Sequence, residues 1–341
     1  MDAKTFCQRI PKIEFHAHLH GSIRESTMEE LCKRNYQDYS LYEKAKSLIN
    51  SKRNLKECFA LFDVIHDIIQ EYDTVKRITK EVIDDFYAEN TVYLELRSTP
   101  RKTTKIDEAQ YIKAILESIE EEEEKYKNKM FVRLIISINR SEPIENAWNT
   151  VYMIDKMKTD SSNYLSKYIV GFELSGNPYA KQYQEFETVF NFIKEMSWHP
   201  CISLHVGEIP NREEEYIHTI QSSPLRIGHS LFYPSNIESL LSEYPVHIEV
   251  CPSSNIMTLS LPSLSSHPLL PFLLKNTIPF SINTDDASVF QTNISKEIYL
   301  FMNSFHISKD YIYTLERNCI QYIMDSSVKQ DLTDIFDSFN Y

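Results

Sequence analysis

Residues 14–22 read EFHAHLHGS, with histidines at 16, 18 and 20, three of only eleven in a chain of 341 residues. The apolar residues just before them predict a buried strand. Positions i and i+2 of a strand share one face, so alternate imidazoles can converge on one object. A metal ion is the simplest such object. An exposed strand end carrying polar residues is the plainer alternative, and an isolated H-x-H does not choose between them.

Other polar residues stand at the ends of similar runs. His205 and Glu208 close CISLHVGE (201–208), His229 closes RIGHS (226–230), and Asp285 with Asp286 closes PFSINTD (279–285). Together with KIEFHAH (12–18), VYLELR (92–97), VRLIISI (132–138), IVGFELS (169–175) and the run at 246–251, these make eight short apolar or β-branched stretches. Segments of helical spacing separate them at 107–126, 142–158, 180–197, 213–221, 235–243 and 268–275. Alternating strands and helices imply right-handed crossovers and a parallel sheet, and eight of them suit an α/β fold of the closed (β/α)8 TIM-barrel type. Residues 24–90 are too long for one crossover and are expected to form a helical insertion over the mouth of the barrel. Residues 295–340 read as closing helices. The acidic run at 120–124 reads as a solvated helix end, and the whole of 1–341 as one domain.

In such a barrel the chemistry sits at the C-terminal ends of the strands. His16, His18, His205 and Asp285 would then meet around one opening, as three imidazoles and a carboxylate. Zinc is the first candidate for that donor set, with iron, cobalt and manganese left open. His247 opens its strand and belongs at the opposite, structural face. His199, His218, His267 and His306 have no such placement and read as surface or core residues.

Composition limits the partners. The apolar share of 42% and charged share of 25% are those of a globular protein. The net charge of −13 suits a small ligand better than a polynucleotide, which is bound by displacing phosphate counterions with basic side chains. No stretch resembles a leader or a membrane span, so a cytoplasmic location is expected, with no nucleic-acid or membrane partner. The six scattered cysteines suggest reduced thiols. Only five glycines are present, against about 24 at the usual ~7%, and all five lie at or beside strand-like runs.

HAHLHGS, LELRSTPR, FELSGNP, LHVGEIPN, RIGHS, EVCPSSN and SINTDDASVF, in that order and over most of the chain, resemble the adenosine/AMP deaminase group of the metal-dependent amidohydrolases. The resemblance is nearest to the branch that acts on N6-methyl-AMP. It implies one zinc ion on His16, His18, His205 and Asp285, supplying hydroxide to attack C6 of a purine. Asp285 would also help take the water's proton, Glu208 would protonate ring N1, and His229 would orient the attacking hydroxide. His18, Glu208, Asp286 and the backbone of Gly176 would contact the purine.

The same resemblance bears on the sugar and phosphate. Nucleoside deaminases of the group carry aspartate where this chain has His20, and that aspartate accepts from a 5′-hydroxyl. A histidine can donate to a 5′-phosphate instead, which favours a nucleotide; the N6-methyl-AMP branch usually has asparagine there. Ser98, Thr99, Pro100 and Arg101 form the loop that binds nucleotide in that branch, Arg101 offering a bidentate fork. His66 and Asn139 match further ligand-binding positions, Asn139 where the branch tends to have aspartate, and Ser230 replaces a second glycine. Arg97 reads as a structural ion pair. The expected enzyme is a monomeric aminohydrolase converting N6-methyl-AMP to IMP and methylamine. An adenosine deaminase is the alternative, and a catalytically silent purine-binding protein on the same fold is the non-enzymatic one.

Overall fold

The computed structural model describes residues 1–35, 43, 44, 46, 47, 55–160 and 162–340. Eight strands follow one another in chain order around a single sheet: β1 (Lys12–His18), β2 (Thr91–Ser98), β3 (Phe131–Asn139), β4 (Ile169–Ser175), β5 (Cys201–Val206), β6 (Arg226–His229), β7 (His247–Val250) and β8 (Phe280–Ile282). Every neighbouring pair is parallel. The ends of the sheet meet at one rim through Asp285, whose N–H donates to His16 O at 2.8 Å and whose C=O accepts from His18 N–H at 2.9 Å. The architecture is the expected α/β barrel, nearly closed.

Helices connect the strands where the periodicity places them. Glu108–Lys125 begins at a capping box between Asp107 and Gln110 and buries Tyr111, Ile112, Ile115 and Ile119 at helical spacing. Between β1 and β2 the longer described helices are Glu25–Asn35, Leu55–Ile68 and Tyr72–Ala88; most of 36–54, inside the expected insertion, lies outside the described residues. Tyr72–Ala88 packs against β2 and Glu108–Lys125, as an outer-ring helix does. Two elements have no counterpart in the periodicity. Ala3–Arg9 is capped by Asp2, which accepts from Thr5 N–H at 2.9 Å. Pro252–Thr258 starts on a proline at its first turn, where the missing N–H is harmless. No helix among the described residues is long and apolar enough to cross a membrane.

Two expectations need correction. The acidic run at 120–124 is only partly a solvated end: Glu122 is buried and pairs with Lys125 at 2.8 Å, and Glu123 pairs with Arg133 at 2.6 Å. The eighth strand is shorter than its apolar run, because beyond Ile282 the backbone leaves the ladder. Asn283 Oδ1 there accepts from Phe15 N–H at 3.1 Å, and Thr284 donates its N–H to Glu14 at 3.0 Å.

The barrel interior is charged. Arg97 bridges Glu173 (2.5 Å) and Glu249, and Arg226 bridges Glu249 (2.6 Å) and Glu95, all five fully buried. Arg97 is thus the ion-pair residue its strand-end position implied. β1 departs from strict alternation beside this ladder. Glu14 pairs with Leu94 and Ala17 with Leu96, so one extra residue is accommodated in β1. Such a bulge re-aims neighbouring groups: Phe15 O accepts from Arg97 at 3.1 and 2.8 Å, while the next side chain, His16, reaches Glu249.

Candidate active site

The C-terminal rim gathers His16 and His18 from β1, His205 from β5 and Asp285 from beyond β8. His16 Nε2 lies 3.1 Å and His18 Nε2 3.3 Å from His205 Nε2, and Asp285 Oδ1 is 3.5 Å from Nε2 of both His16 and His18. Tetrahedral metal–nitrogen bonds of about 2.0–2.1 Å hold ligand atoms about 3.3 Å apart. The spacing and the donor set fit a divalent metal ion.

A carboxylate behind His16 sets the tautomer of that ring. His16 Nδ1 lies 2.7 Å from Glu249 Oε2. Burial pushes the Glu249 carboxyl up, but Arg97 and Arg226 outweigh it and hold the group well below the usual carboxylate range. An ionised acceptor there fixes the ring proton on Nδ1 and turns the Nε2 lone pair towards the cluster. Glu173 lies 3.8 Å from His18 Nδ1 and 3.6 Å from His205 Nδ1. Burial pulls His16 down to about 4, and burial with neighbouring histidines pulls His205 well below its ordinary value, so both rings are neutral, as metal ligation requires. Gly228 makes room: a Cβ on it would meet His16 Cε1 at 2.7 Å.

Backbone strain concentrates here. His229, Ser230 and Asp285 adopt left-handed φ values of 66°, 56° and 62°, each costing about 1–3 kcal/mol for a non-glycine residue. The two main-chain bonds to β1 hold Asp285, and Ser230 N–H donates to Val206 O at 3.0 Å. Ser230 therefore occupies a conformation that glycine adopts freely. Its hydroxyl is anchored 2.6 Å from Tyr216 OH.

A cavity of about 640 Å³ opens over the cluster and is lined by His18, His205, Glu208, His229, Asp285 and Asp286. Burial raises the Glu208 carboxyl, against opposing pulls from His229 and Arg140, and its buried Oε2 has no hydrogen-bond partner among the described residues. The same cavity is lined by His20, His66, Ser98, Thr99, Arg101, Asn139 and Gly176, with Leu55–Ile68 contributing Phe62, Asp63 and His66. Pro100 is buried beside it and does not line it. Gly176 has φ +97°, and the group that a Cβ there would strike is Asn139 Oδ1, at 2.4 Å.

His20 turns away from the imidazole cluster in the short helix His20–Ser22. Its Nε2 is 2.9 Å from Tyr111 OH, which is 2.6 Å from Ser98 Oγ, and its ring packs 5.1 Å from that of His66. Burial, His66 and Arg101 push His20 well below its ordinary value, so it acts as a neutral hydrogen-bonding group, and the cationic partner for an anion is Arg101. Burial lowers the Arg101 guanidinium as well; a desolvated cation lining a cavity favours an anionic ligand.

The sequence reading assigned no role to Glu173, Glu249, Tyr111, Asn255 or His267. The first two carried a signal, a carboxylate in the middle of an otherwise apolar strand, which must be paired if the strand is buried. Tyr111 reads as helix core. Asn255 and His267 gain partners only through tertiary packing.

A family model described as "Adenosine deaminase" matches residues 11–338. The curated N6-mAMP deaminase of Arabidopsis thaliana is 35% identical over 97% of this chain and 97% of its own length. The N6-methyl-AMP deaminase of Homo sapiens is 30% identical over 94% of this chain and 90% of its own. The crystal structure of Arabidopsis ADAL complexed with IMP superposes with a TM-score of 0.88 at 35% identity, over 98% of both chains. With this length of match, the rim of imidazoles and carboxylates belongs to a purine-deaminating hydrolase, and the chain is a member of the adenosine deaminase family.

Proposed function

We propose that this enzyme hydrolyses N6-methyl-AMP to IMP and methylamine, using one zinc ion held by His16, His18, His205 and Asp285. The observation that carries the nucleotide reading is the environment of position 20. A neutral histidine, bonded to Tyr111, shares the cavity with Arg101, Ser98 and Thr99, so that region offers an anion donors and a cation and no carboxylate at position 20. The relatives in Arabidopsis and Homo sapiens named for N6-methyl-AMP, and the complex with IMP, support the same reading.

When bound, the ion lowers the pKa of water towards about 7 and supplies hydroxide at neutral pH. Glu208 protonates purine N1, drawing electron density from C6; burial raises its pKa, which favours the protonated form that this role needs. Asp285 takes the proton of the attacking water, and His229 donates a hydrogen bond to the oxygen being added at C6. Asp286 and Gly176 fix the two edges of the purine. The C6–N6 bond then breaks as the proton held by Asp285 passes to the departing amine, the hydroxyl at C6 gives its proton back to Glu208, and the 6-oxopurine, protonated on N1, remains. We further propose that residues 1–341 act as one domain, as a monomer, in the cytoplasm.

The test is to incubate zinc-loaded protein with adenosine, AMP and N6-methyl-AMP, following purine absorbance and assaying methylamine. Turnover of the methylated nucleotide with little of adenosine is expected. Rapid turnover of adenosine alone would reverse the assignment.

A further inference from the structure

His267 and Asn255 are 2% and 1% exposed; Asn255 borders the cavity and reaches His229, and His267, which does not line the cavity, reaches His229 through Asn255. His267 Nδ1 accepts from the backbone N–H of Leu269 at 3.2 Å and of Leu270 at 3.1 Å. A backbone amide can only donate, so Nδ1 carries a lone pair. Burial pulls the ring down to about 4, so it is neutral at working pH and its single proton is on Nε2. That N–H faces Asn255 Oδ1 at 3.1 Å and donates to it. The orientation of the amide is thereby fixed, and its Nδ2 faces His229 Nδ1 at 3.3 Å. An amide NH2 donates, so His229 Nδ1 must offer its lone pair, and the His229 proton is forced onto Nε2.

We propose that His267 and Asn255 form a relay that transmits the direction of two backbone amides to His229 and holds it as the Nε2–H tautomer. Both are positioning residues. The inference rests on the role proposed above for His229 and sharpens it. A neutral ring locked with Nδ1 as acceptor and Nε2 as donor can donate to the oxygen added at C6 but cannot take the water's proton, which leaves that task to Asp285. His229 stands where the direction of one proton matters, its ring 5.0 Å from those of both His16 and His205. The anchor is rigid: the two amides belong to the entry of the helix Leu270–Asn276, next to buried Leu269 and Leu270.

The test combines tautomer assignment with kinetics on the full-length, zinc-loaded protein. Two-bond proton–nitrogen NMR on 15N-histidine-labelled protein reads which ring nitrogen of His229 and His267 is protonated, independently of any substrate. The wild type is expected to show both rings with the proton on Nε2. His267→Phe removes the donor to Asn255 and frees the amide to rotate. His229 should then become a mixture of tautomers, with kcat reduced about 10- to 100-fold and metal content and KM unchanged. His267→Gln supplies a carbonyl for the two amides and an NH2 for Asn255, and should restore both the single tautomer and most of kcat. Asn255→Asp, close to isosteric, places an acceptor at His229 Nδ1 and should move the proton to that nitrogen even if the phenylalanine variant folds poorly. A wild-type His229 protonated on Nδ1, a single unchanged tautomer in both His267→Phe and Asn255→Asp, or a glutamine variant as impaired as the phenylalanine one would overturn the relay. Absence of deamination by the wild type would instead count against the proposed function, with the NMR result on the relay standing on its own.

Discussion

Glu208 and His20 carry the two most direct tests at the scale of single residues. Glu208→Gln keeps the shape and removes the proton, so zinc content should match the wild type while turnover is abolished; retained activity would remove Glu208 from the acid's role. Because the acid must be protonated and its pKa is raised by burial, activity should persist above the ordinary glutamate range and fall as pH rises through that raised value. At position 20, an aspartate beside Arg101 would replace a neutral group with an anion. His20→Asp should lower kcat/KM for the nucleotide by about 10- to 100-fold, comparable to losing a hydrogen bond to a charged group (about 1.5–3 kcal/mol), and leave adenosine less affected. Equal losses on both would place His20 away from the phosphate. These residues were legible because each sits at the end of an apolar run, where a polar side chain needs a reason. Tyr111, Asn255 and His267 were not, since their partners, His20 and His229, lie on other elements and the intervening spacing carries no pattern.

Among the elements, the strands were readable because a barrel buries both faces, as β2 does along its whole length, so each appears as a continuous apolar run. What periodicity could not express was irregularity. The extra residue in β1 and the short β8 are set by Arg97, Asn283 and Glu14 reaching between strands. Arg97 links both scales. It neutralises Glu173 and Glu249, the two carboxylates behind the ligand imidazoles, and donates to Phe15 O at the bulge. Arg97→Met retains most of the volume but leaves two buried carboxylates short of a cation. Breaking a buried pair from one side typically destabilises by about 3–5 kcal/mol, and the carboxylates should relax by taking protons, weakening their hold on His16, His18 and His205. Urea unfolding should show the loss of stability, and dialysis against a chelator should strip metal faster than from the wild type. An unchanged metal affinity would reduce Arg97 to a packing role.

The molecule as a whole excludes protons on one set of buried groups and retains them on another, and the balance predicts how its stability follows pH. His66, His247 and His267 are pulled down by burial, to about 3, 3 and 4, from an ordinary value near 6.5. Below pH 6.5 the unfolded chain therefore binds protons that the folded one refuses, and stability falls with acidification. Glu297 and Glu316 are pushed up by burial to about 7. Between pH 7 and 4.5 the folded chain binds protons that the unfolded one does not, so these two stabilise the fold as pH falls across that window. From pH 6.5 to 4.5 these histidines, joined by His16, which burial lowers to about 4, and by His18, His20 and His205, lowered in the same direction, oppose the two glutamates and Glu14, which burial raises to about 8; the histidines outnumber the glutamates, so the net effect of acidification is a loss of stability. Below pH 4.5 the raised glutamates are protonated in both states, while the histidines and the carboxylates held low, Glu173, Glu249 and Asp285, act in the same direction, and the decline should steepen. Above pH 6.5 the sign reverses, because the glutamates then ionise against their burial. Urea-unfolding free energies of metal-free protein should therefore peak near pH 6.5, fall gently to about pH 4.5 and steeply below it. His247→Phe, remote from the rim and packed against Tyr322, should flatten the gentle limb by its one proton; a limb of undiminished slope would mean that this ring takes up its proton without unfolding.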